Sequence, residues 1–227
     1  GGGGVQCRAM LPNLSCMGVA PMRVSKRSKN CVSYVEHEEP GQSPLVSTIV
    51  LAQLPGPLKI SNARFVEEER RVRAAKVGLL VVVTNNPVHC KDTWGGARVV
   101  HVPFEDSLTE ADSAVVVAIR GVVERVQAYW SKHPNTSVLV HCNAGQNRSA
   151  AVVLALLLAY GVPRESALES VYATRTADNA GPGVAWERAG WEKLVEKNGK
   201  RLRDLVLKTP WPCVSGFYPH YRPRGVP

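Results

Sequence analysis

No apolar run in this chain is long enough to span a bilayer; the longest, residues 150–160, reads as a buried helix. The opening GGGGVQCRAM has no apolar stretch behind a charged start, so it does not read as a secretory leader. The six cysteines, Cys7, Cys16, Cys31, Cys90, Cys142 and Cys213, form no Cys-x-x-Cys pair and no regular framework. That argues against a disulfide scaffold and for a reducing compartment, cytoplasmic or nuclear. His37, His89, His101, His133 and His220 show no metal-ligand spacing, so no metal site is expected. There is no internal repeat, and the four initial glycines are the only low-complexity stretch.

Charge is also scarce where a nucleic-acid-binding fold would need it. The net charge is +9, yet residues 41–196 hold sixteen basic and fifteen acidic side chains. The excess lies at the ends: five basic against three acidic in residues 1–40, and seven against one in residues 197–227. A nucleic-acid-binding domain carries its basic surface on the fold itself, so no nucleic-acid partner is expected. Texture divides the chain into a flexible basic segment 1–42, a folded unit 43–198 and a basic, Pro-containing tail 199–227.

Within the folded unit, residues 45–51 (LVSTIVL) read as a strand, and Pro55-Gly56-Pro57 as a turn. Ser61 or Asn62 is placed to cap a helix through Phe65, Val66 and Val72. The unbroken apolar run 77–83 predicts a strand buried on both faces. Residues 84–97 read as a loop and 98–102 as the next strand. A helix is predicted over residues 112–133, with Val116, Ile119, Val123, Val126 and Tyr129/Trp130 facing inward. Further helices are predicted over 164–175 and 186–197, the last with Trp186, Leu194 and Val195 packing, and a loop over 176–184. Strands alternating with helices predict an α/β fold: a largely parallel central sheet flanked by helices.

The chemistry concentrates in residues 137–160, SVLVHCNAGQNRSAAVVLALLLAY. A short β-branched run ends at His141, a polar loop follows, and a long Ala/Leu-rich run reads as a helix. A loop curling into a helix N-terminus turns its N–H groups inward and adds the positive end of the helix dipole. Gly145 allows the positive φ such a curl needs, and Arg148 offers a planar fork for two phosphate oxygens. The phosphate loop is thus Asn143, Ala144, Gly145, Gln146, Asn147 and Arg148, with Cys142 at its base in a field that favours the thiolate. A thiolate beneath a bound phosphate is a nucleophile aimed at phosphorus. His141, next to Cys142 on a strand, points the other way and suits hydrogen bonding to loop backbone rather than a Cys/His protease pair.

His141-Cys142, five residues, then Arg148-Ser149 resembles the H-C-x5-R-[S/T] signature of cysteine-dependent protein phosphatases. The string HCNAGQNRS is most similar to the dual-specificity branch, as an atypical single-domain member, and the resemblance runs from about residue 44 to residue 196. It implies Cys142 as nucleophile, Arg148 as phosphate anchor and Ser149 as donor to the sulfur when it departs. It implies Asp106, in HVPFEDS, as general acid, with Glu105, Glu110 and Asp112 as competitors on distance alone. Asn179 matches an Asn that buttresses the phosphate loop, and Cys90 lies where some relatives carry a thiol that pairs reversibly with the nucleophile. No cofactor or metal is implied.

The implied function is hydrolysis of phosphotyrosine and phosphoserine/threonine in proteins through a phosphocysteine. The alternatives are a phosphoinositide, carbohydrate or RNA phosphatase on the same scaffold, or a non-catalytic phosphopeptide-binding module. The five loop residues between Cys142 and Arg148 are all neutral, which counts against a polyphosphorylated substrate. A sulfurtransferase would leave Ser149 and Asp106 without a role. The partner expected is a phosphorylated protein; the basic-then-apolar KRLRDLVL at 200–207 resembles a kinase-docking peptide, although its spacing is also that of a packed helix.

Overall fold

The computed structural model describes residues 32–36, 46–85, 92–106, 112–175, 190 and 193–197. Seven strands form one sheet in the order β1-β2-β3-β7-β4-β6-β5. They are β1 Val32–Glu36, β2 Val46–Val50, β3 Leu58–Ser61, β4 Val77–Val82, β5 Thr93–Trp94, β6 Ala97–His101 and β7 Ser137–His141. The central four, β3, β7, β4 and β6, run parallel, and antiparallel pairs extend both edges.

The apolar run at the end of β4 is explained by its two neighbours. Leu79, Val81 and Val83 join the larger core cluster, while Leu80 and Val82 join a second cluster on the opposite face. A strand covered on both sides has no polar face to show. Helix α3 (Asp112–Trp130), α4 (Arg148–Ala159) and α5 (Arg164–Arg175) build the larger cluster. All twelve residues of α4 are buried, because it lies between β3 and β7 on one side and α3 and α5 on the other. That is the setting in which a helix with no polar stripe is stable.

The second face is covered by two short helices where one was expected. Asn62 caps α1 (Ala63–Glu67), its Oδ1 accepting from Phe65 N at 3.1 Å. Glu68 then turns extended at φ −97, ψ 102, and α2 (Glu69–Ala74) starts afresh. Phe65, Val66 and Val72 all reach the second core.

The sheet is wider than the sequence reading at its edges. β1 falls inside the segment 1–42 and pairs antiparallel with β2. β3 lies in residues assigned no strand, between the Pro55-Gly56-Pro57 turn and the helix cap, and the two-residue β5 lies in the stretch read as loop; cross-strand pairing supplies what local pattern does not. Helix α3 ends at Trp130, short of His133, and Val115 and Val122 join its buried face. Residues 193–197 are helical, with Leu194 and Val195 buried as expected. No helix among the described residues is long and apolar enough to cross a membrane. Cys90, Glu110, Asn179, Trp186 and the segments 1–31 and 198–227, with the docking-like 200–207, lie outside the described residues.

Candidate active site

Strand β7 is buried at every position and sits between β3 and β4 at the middle of the sheet. Its C-terminal end therefore delivers the chain into the loop of residues 142–147, after which α4 begins. The His141–Cys142 alternation comes out as the pleat requires. Cys142 packs in the larger cluster, whereas His141 stands in register with Ser61 and Val82, and Val82 belongs to the other face. The imidazole Nδ1 of His141 lies 3.4 Å from the Cys142 carbonyl oxygen, so it faces loop backbone and not the thiol.

The loop wraps the sulfur closely. Gly145, at φ 72, donates its N–H to Cys142 Sγ at 3.2 Å. A side chain at that φ is strained, which is why this position takes glycine. Ser149 Oγ lies 3.3 Å from Cys142 Sγ and is fully buried; against a thiolate its hydroxyl can only donate. Cys142 itself is 1% exposed, at the floor of the loop. The first loop residue, Asn143, is held from two sides: its backbone oxygen accepts from Ala63 N at 2.9 Å, and its Oδ1 accepts from Thr84 Oγ1 at 2.7 Å. Ala144 is exposed; Gln146 and Asn147 are half-buried. Asn147 precedes α4 without a side-chain cap and leaves its buried Oδ1 without a partner among the described residues.

Arg148 opens α4 and is 4% exposed. Its Nη1 donates to the Phe104 carbonyl at 3.2 Å, and its Nε lies 3.6 Å from Asp106 Oδ2. The loop after β6 is thereby drawn over the phosphate loop, and Asp106 arrives at the site with 41% of its side chain exposed. Glu105, its neighbour, turns away to accept from Asn85 Nδ2 at 2.5 Å. Cys142, Arg148, Ser149 and Asp106 are thus brought together, while Asp112 lies at the start of α3. Thr84, Ala63 N–H and the Phe104 carbonyl went unforeseen: two are backbone groups, and Thr84 reads in sequence only as the first polar residue after an apolar run. Among the described residues no three His, Cys, Asp or Glu side chains gather as a metal site.

A buried thiol receiving an N–H, a buried hydroxyl beside it, a buried guanidinium above and a carboxylate at the rim can bind a tetrahedral dianion and attack it from below. The family model for the dual specificity phosphatase catalytic domain matches residues 67–182, which spans β4, the Asp106 loop, the phosphate loop, α4 and α5. The chain belongs to the dual specificity phosphatase family. Over 113 residues it is 32% identical to the phosphatidylinositol 3,4,5-trisphosphate 3-phosphatase and protein-tyrosine-phosphatase PTEN1 of Arabidopsis thaliana. That alignment takes in 48% of this chain but spans only about a quarter of the relative, 26% of its length. Among solved structures, DUSP15 superposes with a TM-score of 0.52 at 20% identity, covering 69% of this chain and 94% of that one. Human DUSP28 gives a TM-score of 0.48 at 21% identity, over 64% and 90%. The DUSP15 likeness shows the shared fold: a mixed sheet flanked by helices.

Proposed function

We propose that this phosphatase hydrolyses phosphate monoesters on phosphotyrosine and phosphoserine/threonine of proteins, through a phosphocysteine on Cys142. The observation that carries the reading is the sulfur's environment: an N–H from Gly145 at 3.2 Å, a hydroxyl from Ser149 at 3.3 Å, and Arg148 buried at the loop's end. In the first step the Cys142 thiolate forms an S–P bond as the P–O bond to the leaving group breaks. Arg148 and the loop N–H groups meet the equatorial oxygens, and Asp106 delivers its proton to the departing oxygen. A bound phosphate competes with Asp106 for Arg148, which frees the carboxyl to turn toward the leaving group. In the second step Asp106, now a base, takes a proton from water as that water attacks phosphorus. The S–P bond breaks, Ser149 donates to the departing sulfur, and inorganic phosphate leaves.

The neutral loop residues Asn143 to Asn147 favour a singly phosphorylated site over a crowded one. A phosphoinositide substrate is the second reading, and its support is the Arabidopsis relative, whose name gives it both a lipid and a protein activity. A side-by-side assay on phosphotyrosyl peptide, phosphothreonyl peptide and phosphoinositide in mixed micelles separates them. The proposal expects peptide turnover to exceed lipid turnover and Cys142→Ser to abolish both while leaving the melting temperature near wild type. Lipid turnover that dominates would replace the first reading with the second. Activity that survives Cys142→Ser would remove both.

A further inference from the structure

We propose that Thr84 and Asn85, in the bend that follows β4 and Val83, are positioning residues that hold the phosphate loop and the Asp106 loop in one frame. The inference rests on the phosphatase reading and deepens it. β4 and β7 run side by side to their ends, where Val83 N donates to the His141 oxygen at 3.1 Å. The next residue, Thr84, is 3% exposed and works in both directions. Its hydroxyl donates to Asn143 Oδ1 at 2.7 Å, fixing the residue that follows the nucleophile. Its carbonyl lies 2.8 Å from His101 Nε2, and since a carbonyl only accepts, that nitrogen carries the hydrogen. His101 ends β6 and leads into the loop that bears Asp106. Asn85 then donates to Glu105, the residue directly before Asp106.

These bonds matter because of what Arg148 must do. The Asp106 loop is tied to Arg148 through the Phe104 carbonyl and the Asp106 carboxylate. A substrate phosphate competes for the same guanidinium, so those ties weaken at the moment Asp106 has to be in place. The links from Thr84 to His101 and from Asn85 to Glu105 do not involve Arg148 and persist when it turns to the phosphate. Thr84 therefore shapes the oxyanion cradle through Asn143, while Asn85 holds the acid through Glu105.

The two roles separate by experiment on the full chain. Thr84→Val, Thr84→Ser and Asn85→Ala are compared with wild type for inhibition by orthovanadate, for kcat/KM across aryl phosphates of graded leaving-group basicity, and for melting temperature. Thr84→Val should weaken orthovanadate about tenfold and lower kcat/KM by a similar factor on every ester, the loss expected for one hydrogen bond to the phosphate loop. Thr84→Ser, which keeps the hydroxyl, should restore both. Asn85→Ala should leave orthovanadate within about twofold yet slow esters with basic leaving groups about three- to tenfold, the good leaving groups remaining near wild type. The proposal is overturned if Thr84→Val binds orthovanadate as wild type does, or if Asn85→Ala slows all esters equally. It is also overturned if the losses merely follow a fall in melting temperature and Thr84→Ser does not restore them. A wild-type protein that neither cleaves aryl phosphates nor binds orthovanadate would overturn the phosphatase reading, and this inference with it.

Discussion

Arg148 stands at the first position of a helix whose every residue is buried, yet its guanidinium reaches back to a loop more than forty residues earlier in the chain. The distance between Cys142 and Arg148 is local and readable, because a phosphate loop closes within one turn of chain. Which carboxylate meets Arg148 is not local, and Glu105 and Asp106 differ by one residue and by opposite directions in space. Asp106→Asn should therefore slow alkyl phosphates roughly a hundredfold or more and good aryl leaving groups far less. If Glu105→Gln gives that pattern instead, Asp106 is not the acid. Ser149→Ala removes the hydroxyl 3.3 Å from the sulfur and should slow breakdown of the phosphocysteine about ten- to a hundredfold. Stopped-flow release of the aryl alcohol should then show a burst equal to the enzyme present, and the absence of a burst with kcat unchanged would dismiss the role.

At the scale of elements, the small hairpin of β5 and β6 shows how tightly the second layer is seated. Trp94 Nε1 donates to the Val66 carbonyl at 2.8 Å, tying the hairpin to α1. Its turn carries Gly95 at φ +59 and Gly96 at φ +85. A Cβ at Gly95 would lie 2.8 Å from Val72 Cβ, 2.9 Å from the Glu69 oxygen and 3.0 Å from Arg73 N, all on α2. A Cβ at Gly96 would meet nothing within 4 Å. Gly95→Ala should thus cost about 1–3 kcal/mol beyond Gly96→Ala, which bears the backbone strain alone. Urea midpoints of the two variants check this, and equal midpoints would show that α2 yields without cost. The Gly-Gly pair was legible only as part of a loop; that α2 leans on it was not legible, since nothing in the hairpin names its neighbour.

For the whole molecule, the larger core closes where the ends of α3 and α4 meet. Tyr160 follows α4 and packs edge-on against Trp130 at the end of α3, ring centroids 5.4 Å apart and interplanar angle 79°. Burial pushes the Tyr160 phenol well above its ordinary value. The sign follows from linkage. A folded-state value raised above the unfolded one leaves Tyr160's contribution complete below about pH 10, where both states hold the proton. Above that the unfolded chain loses its proton first, so stability declines as pH rises toward the folded value. Urea midpoints measured from pH 9 to pH 11 should fall more steeply for wild type than for Tyr160→Phe. Parallel slopes would show that the phenol reaches water in the native state.

What the sequence determined by itself is everything carried by short-range pattern. The unbroken run at β4 announced a strand covered on both faces, the 3.6-residue spacing marked α3, and HCNAGQNRS placed a thiol, a glycine and an arginine on a strand–loop–helix. Each of these is encoded within a dozen residues or so, at a period the backbone imposes. Tertiary structure alone decided the rest: that β1 and β3 join the sheet, that the helix after Asn62 breaks at Glu68, and that Thr84 clasps Asn143 while Asp106 and not Glu105 lies against Arg148. The reason is physical. Strand pairing and side-chain clasps satisfy donors and acceptors with partners tens of residues away, and no local period records which distant partner a polar group will find.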